Sequence, residues 1–378
     1  MESVTAPIGA RRLLEPGANK LKLGLFGLNC KNGLNLTMAE TNYVATWDHT
    51  LAVSQRADDM GFEILVPIAR WRGFDGASDP FGESFETMTW AAGIASKTRN
   101  VVPVGTLHVP LMHPVFAAKQ CVTLDHLSGG RFAFNAVMGW VSGDFEMFGQ
   151  ELREHDERYR YGAEWMEIVR RIWTEPDPFD FDGEYFQLRN VRGKPKPLQD
   201  PYPVILNAGN SSAGMNFAAK EADFNFAIVE NLESGRAYVE KAQAAAKAHD
   251  RELHLLGNAS VICRDSEDEA MSIVEEMRSK GDREATRNSL KEFGINSDSL
   301  SEEYFEFEDN WMISMGSTQL YGTPEKIAEG LASLSGIGLD GVMLASLDYY
   351  DELGIFNERV MPLLVEMGLR DEVNAIHH

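Results

Sequence analysis

Two hydrophobic periods take turns along this chain. Over residues 21–28 apolar side chains fall at every second position (Leu21, Leu23, Leu25) and give way to Asn29, Lys31, Asn32 and Gly33, the pattern of a strand that opens into a loop. Over 47–60 the apolar positions Leu51, Ala52, Ala57 and Met60 recur at helical spacing, Gly61 supplies the stop, and 62–66 reads as a second strand. The unit then repeats. Helix 83–96 leads to strand 101–107, helix 114–127 with Pro114 at its start leads to strand 131–137, and helix 158–173 follows. A Pro-rich connection through Pro195 and Pro197 reaches strand 204–207, then helix 212–222, strand 224–228, helix 234–249 and strand 253–263. Helix 266–280 carries Glu267, Asp268 and Glu269 in its first turn, as the helix dipole favours. Residues 281–318, acidic and polar with Trp311 among them, break the rhythm and read as an insertion. A helix opened by Thr323, Pro324 and Glu325, a strand at 341–345 and a helix at 355–367 close the chain.

About eight strand–helix units predict a parallel sheet in an α/β fold, and the length favours its closure into a (β/α)8 TIM barrel. An open doubly wound sheet is the alternative, but its Gly-x-Gly-x-x-Gly fingerprint is absent after the first strand. The expected organisation is one barrel domain over 20–378, with residues 1–19 as an arm available to a neighbouring subunit and an insertion or lid at about 281–318.

Composition narrows the function. The chain has 378 residues, of which 44% are hydrophobic and 25% charged, enough for a large core, and no apolar run approaches the roughly 20 residues that span a bilayer. A formal charge of −23 repels phosphate backbones and anionic lipid, which excludes nucleic acid and a membrane surface as partners. Cys30, Cys121 and Cys263 are odd in number and far apart, so neither a disulfide framework nor a zinc site is suggested; a soluble cytoplasmic protein fits, and the N-terminus shows no signal pattern. His377 and His378 fit either a native end or an appended tag.

A barrel collects its site from the C-terminal ends of its strands. That mouth is expected to carry Ala69, Arg70 and Arg72, then Thr106 and His108, then Asn135 with Trp140 and Asp144, and finally Asn207 to Ser212. Thr106 reads more readily as a hydroxyl bonded to its own backbone, His108 as a satisfied histidine and Trp140 as core. Asn135 in an apolar strand is different, because a buried amide costs desolvation energy unless it is fully paired. The segment from Asn207 through Ala208, Gly209 and Ser211 to Gly214 runs from strand into helix, so that backbone N–H groups and hydroxyls converge as in an anion site; an ordinary Ser N-cap explains the same residues. Asp156 and Glu157 suit a helix start on dipole grounds alone, whereas Arg158 and Tyr159 are better placed to hold phosphate. With no paired carboxylates of glycosidase spacing, no Gly-x-Ser-x-Gly elbow, no Cys/His dyad and no metal cluster, the chemistry is expected to reside in a bound cofactor.

These residues resemble the bacterial luciferase-like flavin-dependent monooxygenases, and among them the branch of the pyrimidine and dimethylsulfone monooxygenases. The matching positions include Arg72, the Ser128 to Phe132 turn, Asn135, Gly139 with Trp140, the His155 to Arg160 run, the Lys194 to Gln199 run, Ala208 to Ser211 and Ala222 to Phe226, which spread over nearly the whole chain. The resemblance implies a TIM barrel that takes reduced FMN (FMNH2) from a separate NAD(P)H-dependent flavin reductase. It implies that O2 is the co-substrate and that the reaction passes through a flavin peroxide at C4a or N5, in a homodimer or homotetramer. Residue by residue, it places Ala69 and Arg70 at the flavin ring, and Thr106 and Asn135 as the catalytic polar pair beside the flavin and its oxygen pocket. It places Arg158, Tyr159, Ala208, Gly209 and Ser211 at the ribityl phosphate, with Asp144, where the branch usually has Glu, at a contact to the flavin or a neighbouring loop that is shorter, water-bridged or absent.

Arg70 and Arg72 suit a sulfonate, while Trp140 and Phe74 suit a flat heterocycle; Arg72 pairing with Asp75 or Asp79 is the structural alternative. Arg72, His108 and Trp140 are the expected substrate-pocket residues. The competing functions are a deazaflavin (F420)-dependent oxidoreductase, which transfers hydride without oxygen, and a flavin-binding protein without turnover.

Overall fold

Strands rich in Val, Leu and Ala bury both of their faces here, the signature of a parallel sheet covered by helices. A computed structural model describes residues 9–15, 17, 19–295 and 302–372. Its strands are β1 Lys22–Phe26, β2 Ile64–Val66, β3 Val102–His108, β4 Ala133–Val137, β5 Phe179–Asp182, β6 Gln187–Val191, β7 Val204–Asn207, β8 Phe224–Phe226, β9 His254–Cys263, β10 Thr318–Gly322 and β11 Gly341–Ala345. Apart from the β5–β6 hairpin they form one nine-stranded sheet, in which eight parallel strands close into a TIM barrel flanked by helices and β10 lies beside β9. Among the described residues no helix is long and apolar enough to cross a membrane.

The chain makes two compact units. The first, residues 1–17, 86–226 and 240–254, holds the parallel neighbours β3, β4, β7 and β8. Its helices Pro114–Leu127 and His155–Thr174 bury Trp165 and Trp173, whose indole N–H groups donate to the carbonyls of Met112 and Ala118. Residues 179–191, expected as part of a plain connection, form a hairpin instead. Phe179 and Phe181 are buried while Asp180 and Asp182 face outward, and the Glu164 carboxylate accepts from the N–H groups of Glu184, Tyr185 and Phe186 at its turn. The described part of the N-terminal arm, 9–15, folds back on its own chain: Ala10 is buried and its N–H donates to Gly130 at 2.8 Å. Residues 1–8, 16 and 18 of that arm, like His377 and His378, lie outside the described residues.

The second unit, residues 18–85, 227–239 and 255–378, holds β1, β2, β9, β10 and β11. Strand β9 is ten residues long and pairs with β11 along Leu256–Ser260 and with β10 along Ala259–Cys263. Asn29, just past β1, accepts from the N–H of Ile68 and donates to its carbonyl and to that of Phe85, fixing the chain where it leaves β2. The expected closing helix at 355–367 is two helices, Tyr349–Arg359 and Met361–Glu366, divided at Val360 ahead of Pro362.

The expected insertion at 281–318 is helical over Arg283–Glu292 and Glu302–Ser314, with 296–301 outside the described residues and Thr318 already in β10. Its first helix is stapled to the loop at 72–82. That loop holds Asp75, Gly76, Asp79 and Phe81 at positive φ, a conformation that non-glycine residues keep only when their surroundings enforce it. Asp282 does so: one carboxylate oxygen accepts from Ser78 N–H at 2.6 Å and Ser78 Oγ at 2.8 Å, while the other caps the helix through Ala285 N–H at 3.1 Å. Asn288 adds a bond to the Phe74 carbonyl, and Arg72 pairs with Glu292 at 3.6 Å.

Burial alone would push the Asp282 carboxyl up, but the bonds from Ser78 and Ala285 outweigh it and hold it below the ordinary aspartate value. A depressed folded value means that the staple stabilises at neutral pH and that its contribution is lost as pH falls through that value. Asp282→Asn keeps an oxygen for the helix cap and turns an N–H2 toward the Ser78 donor. Urea unfolding at neutral pH is expected to show a loss of about 1–3 kcal/mol. The gap from wild type should close on acidification below about pH 4, the ordinary aspartate range; a gap constant with pH would show that the charge is not what holds the loop.

Candidate functional site

Four neighbouring strands each place a polar residue at or near their ends: Thr106 on β3, Asn135 on β4, Asn207 on β7 and Asn225 on β8. Register brings Thr106 opposite Asn135 and Asn207 opposite Asn225. All four are buried, so each must find partners or stay unsatisfied.

Asn135 donates through Nδ2 to Thr106 Oγ1 at 3.3 Å, and its Oδ1, also buried, accepts no hydrogen bond. Thr106 is itself fixed, its carbonyl accepting from Thr87 Oγ1 on the helix that precedes β3, Thr87–Ala95. The Thr106 hydroxyl thus takes part in a side-chain bond, and among the described residues nothing meets the Asn135 amide oxygen. His108, two residues on, is buried with its ring 6.2 Å from that of Phe145.

Beyond β4, Gly139 adopts φ +81°, where a Cβ would run into the Phe145 ring. Its carbonyl accepts from the Arg158 guanidinium. Trp140 follows, half-buried, and residues expected as loop form a short helix, Ser142–Met147, with Asp144 buried in its first turn. Arg158 keeps Nε buried without a partner.

The small-residue turn after β7 forms the second half. Asn207 accepts from Gly209 N–H at 2.8 Å, bending the chain into the helix Ser212–Glu221, and Ser211 caps that helix by accepting from Gly214 N–H at 3.1 Å. Gly209 and Gly214 stack without side chains: a Cβ on Gly214 would lie 2.5 Å from the Tyr159 hydroxyl and 2.8 Å from Gly209 Cα. Tyr159 and Ser211 therefore meet at one helix N-terminus, where unpaired N–H groups favour an anion. The Ser211 N-cap is present, and it is formed by the same residues that the sequence offers as an anion cradle.

The sequence did not single out the role of His155, the first residue of the helix His155–Thr174. Its Nε2 lies 2.9 Å from Ser211 Oγ and its Nδ1 2.9 Å from Asp156 Oδ1. The signal was the early helix start: beginning the helix at 155 rather than 158 points this ring at the turn.

Three expected site residues belong to the second unit. Ala69 is half-buried; Arg70 is buried with its guanidinium 4.4 Å from the Phe74 ring centre; Arg72 is exposed and pairs with Glu292, not with Asp75 or Asp79. Beside Arg70, burial pushes the Cys30 thiol far up, with the Arg70 charge drawing it partly back, so this cysteine is inert.

A family model described as luciferase-like monooxygenase matches residues 22–341. The chain belongs to the luciferase-like monooxygenase family. Among its relatives in this family, an FMNH2-dependent dimethylsulfone monooxygenase of Pseudomonas putida is 31% identical over 357 residues, covering 92% of this chain and 96% of that one. A pyrimidine monooxygenase RutA of Cronobacter turicensis is 29% identical over 356 residues, 91% of this chain and 92% of that one. The crystal structure of the long-chain alkane monooxygenase LadA superposes with a TM-score of 0.83 at 21% identity, covering 95% of this chain and 94% of that one. That likeness extends the family's barrel to this chain.

The glycine stack gives a test that needs no ligand. Alanine in a helix ordinarily gains about 1 kcal/mol over glycine. Gly214→Ala is instead expected to cost about 1–3 kcal/mol in urea unfolding, because the methyl must displace Tyr159 or the Gly209 backbone. Gly336→Ala, at the end of the helix Pro324–Gly336 where a Cβ meets nothing within 4 Å, serves as the control and should not destabilise.

Proposed function

We propose that this chain is the oxygenase of a two-component system. It takes reduced FMN from a separate NAD(P)H-dependent flavin reductase and uses dioxygen to oxidise or cleave a small organic molecule. The observation that carries the reading is the buried Asn135 Oδ1 without a partner beside the Thr106 hydroxyl, one strand away from an anion cradle. A ligand with a hydrogen-bonding ring at one end and a phosphate at the other satisfies both, and FMN is such a ligand.

The residues fit that group. Ser211, Tyr159, His155, Arg158 and the backbone of Ala208 and Gly209 would hold the phosphate, and Asn135 would meet the ring; Ala69, Arg70 and Asp144 are assigned to the flavin on the resemblance alone. When bound, reduced FMN supplies the electrons with which dioxygen is activated. Thr106 and Asn135 set a hydroxyl and an amide side by side among buried residues, where donors gain strength against developing negative charge on oxygen. Burial of both keeps water from that charge.

The pairing of Arg72 with Glu292 favours an uncharged substrate over a sulfonate. A sulfone or an N-heterocycle such as a pyrimidine, the compounds named for the relatives, suits a pocket expected to include His108 and Trp140. Three buried free thiols support a reducing cytoplasm, and a homodimer or homotetramer remains the assembly to seek by light scattering.

Anaerobic fluorescence titration with reduced and oxidised FMN, then an oxygen pulse followed by stopped-flow absorbance, tests the reading. Reduced FMN is expected to bind the more tightly and to reoxidise with a transient absent from buffer, with dimethyl sulfone or uracil as first substrate probes. Asn135→Ala should shorten that transient by about 10–100-fold. If reduced FMN fails to bind, or reoxidises as it does in buffer while deazaflavin binds, the oxygenase reading is wrong.

A further inference from the structure

We infer that Asn225 and Asn207 are positioning residues that set the span between the phosphate cradle and Asn135, and so make the site selective for the phosphorylated flavin; this rests on the FMN reading. Asn225 is fully buried at the end of β8. Its Nδ2 donates to two carbonyls of the turn, Asn207 O at 3.0 Å and Gly209 O at 3.3 Å. Asn207 works in both directions: Oδ1 accepts from Gly209 N–H, and Nδ2 donates at 2.6 Å to the carbonyl of Ala136 on β4.

Ala136 is the peptide neighbour of Asn135. A chain of amides therefore runs from β8 through the glycine turn to the residue beside the orphaned Oδ1, every link of it made by a buried side chain on a strand. These amides fix the carbonyls of Asn207 and Gly209 at the entrance to the next helix, whose first N–H groups lack intrahelical acceptors as at any helix start. Loops of glycine and serine are soft, and the relay makes this one as rigid as the strands that hold it. The distance from ring end to phosphate end is then a property of the sheet, which gives the site a fixed gauge of ligand length.

Only a donor at 225 can serve two carbonyls. Asn225→Asp keeps the shape and sets an acceptor against both. The probes are FMN and riboflavin, which share the ring and differ in the phosphate, each titrated anaerobically in its reduced form against wild type and variant. Wild type is expected to prefer FMN. In Asn225→Asp the FMN-to-riboflavin affinity ratio should fall about tenfold while riboflavin affinity stays within about twofold.

Asn225→Ser, which retains one donor, should lose less, and it carries the test if the Asp variant does not fold. Parallel loss of both flavins would mark a merely structural role and overturn the inference, as would an unchanged ratio in both variants. A wild type with no preference for FMN would overturn it together with the function it rests on, whereas an unchanged ratio in the variants leaves that function standing.

Discussion

A carboxamide buried at the end of a parallel strand has two donors and an acceptor to satisfy, and water cannot help it. In this barrel that requirement organises the candidate site. Asn225 meets it with the turn's carbonyls, and Asn207 meets it by joining the turn to β4. Asn135 meets half of it with Thr106 and keeps one oxygen in reserve. The two satisfied amides hold the backbone still, and the incompletely satisfied one is where a ligand gains most. The candidate ligand contact and the scaffold are made of the same residue type in the same environment, and they differ only in whether the described residues complete the hydrogen bonds.

The cradle follows from this order. Glycines at 209 and 214 let two backbone segments approach until the Tyr159 hydroxyl closes over them, and Ser211 and His155 complete the rim. None of these contacts is strong in isolation. Their effect comes from a helix start, a cap and a glycine stack being placed by strands whose register is fixed.

The fold was legible wherever one period dominated. The helix at 114–127 and the strands at 204–207 and 341–345 lie at the residues the pattern predicts. The hairpin at 179–191 was hidden by its shortness and its Asp-rich alternation, and the helix at 142–147 by having fewer than two turns. In the site, Asn135 could be named because a buried amide in an apolar strand is an anomaly a sequence displays, whereas Thr106 was reached through the family resemblance. Asn225 is equally anomalous, and its function escaped because it lies in which carbonyls it reaches, a fact of register between β7 and β8. Likewise the partner of Arg72 is Glu292, which no local spacing suggests.

The staple at Asp282 has a consequence in time as well as in space. Ser78 and Asp282 are 204 residues apart. At ordinary synthesis speeds of about 5–20 residues per second, the loop at 72–82 waits roughly 10–40 s for the carboxylate that holds its left-handed residues. The first two barrel strands are made with that loop unsupported, and it acquires its final shape only when the last third of the chain arrives. The conformation of an early segment is thus decided by a late one, so a chain interrupted before residue 282 would carry strands β1 and β2 without the loop geometry that accompanies them in the finished molecule.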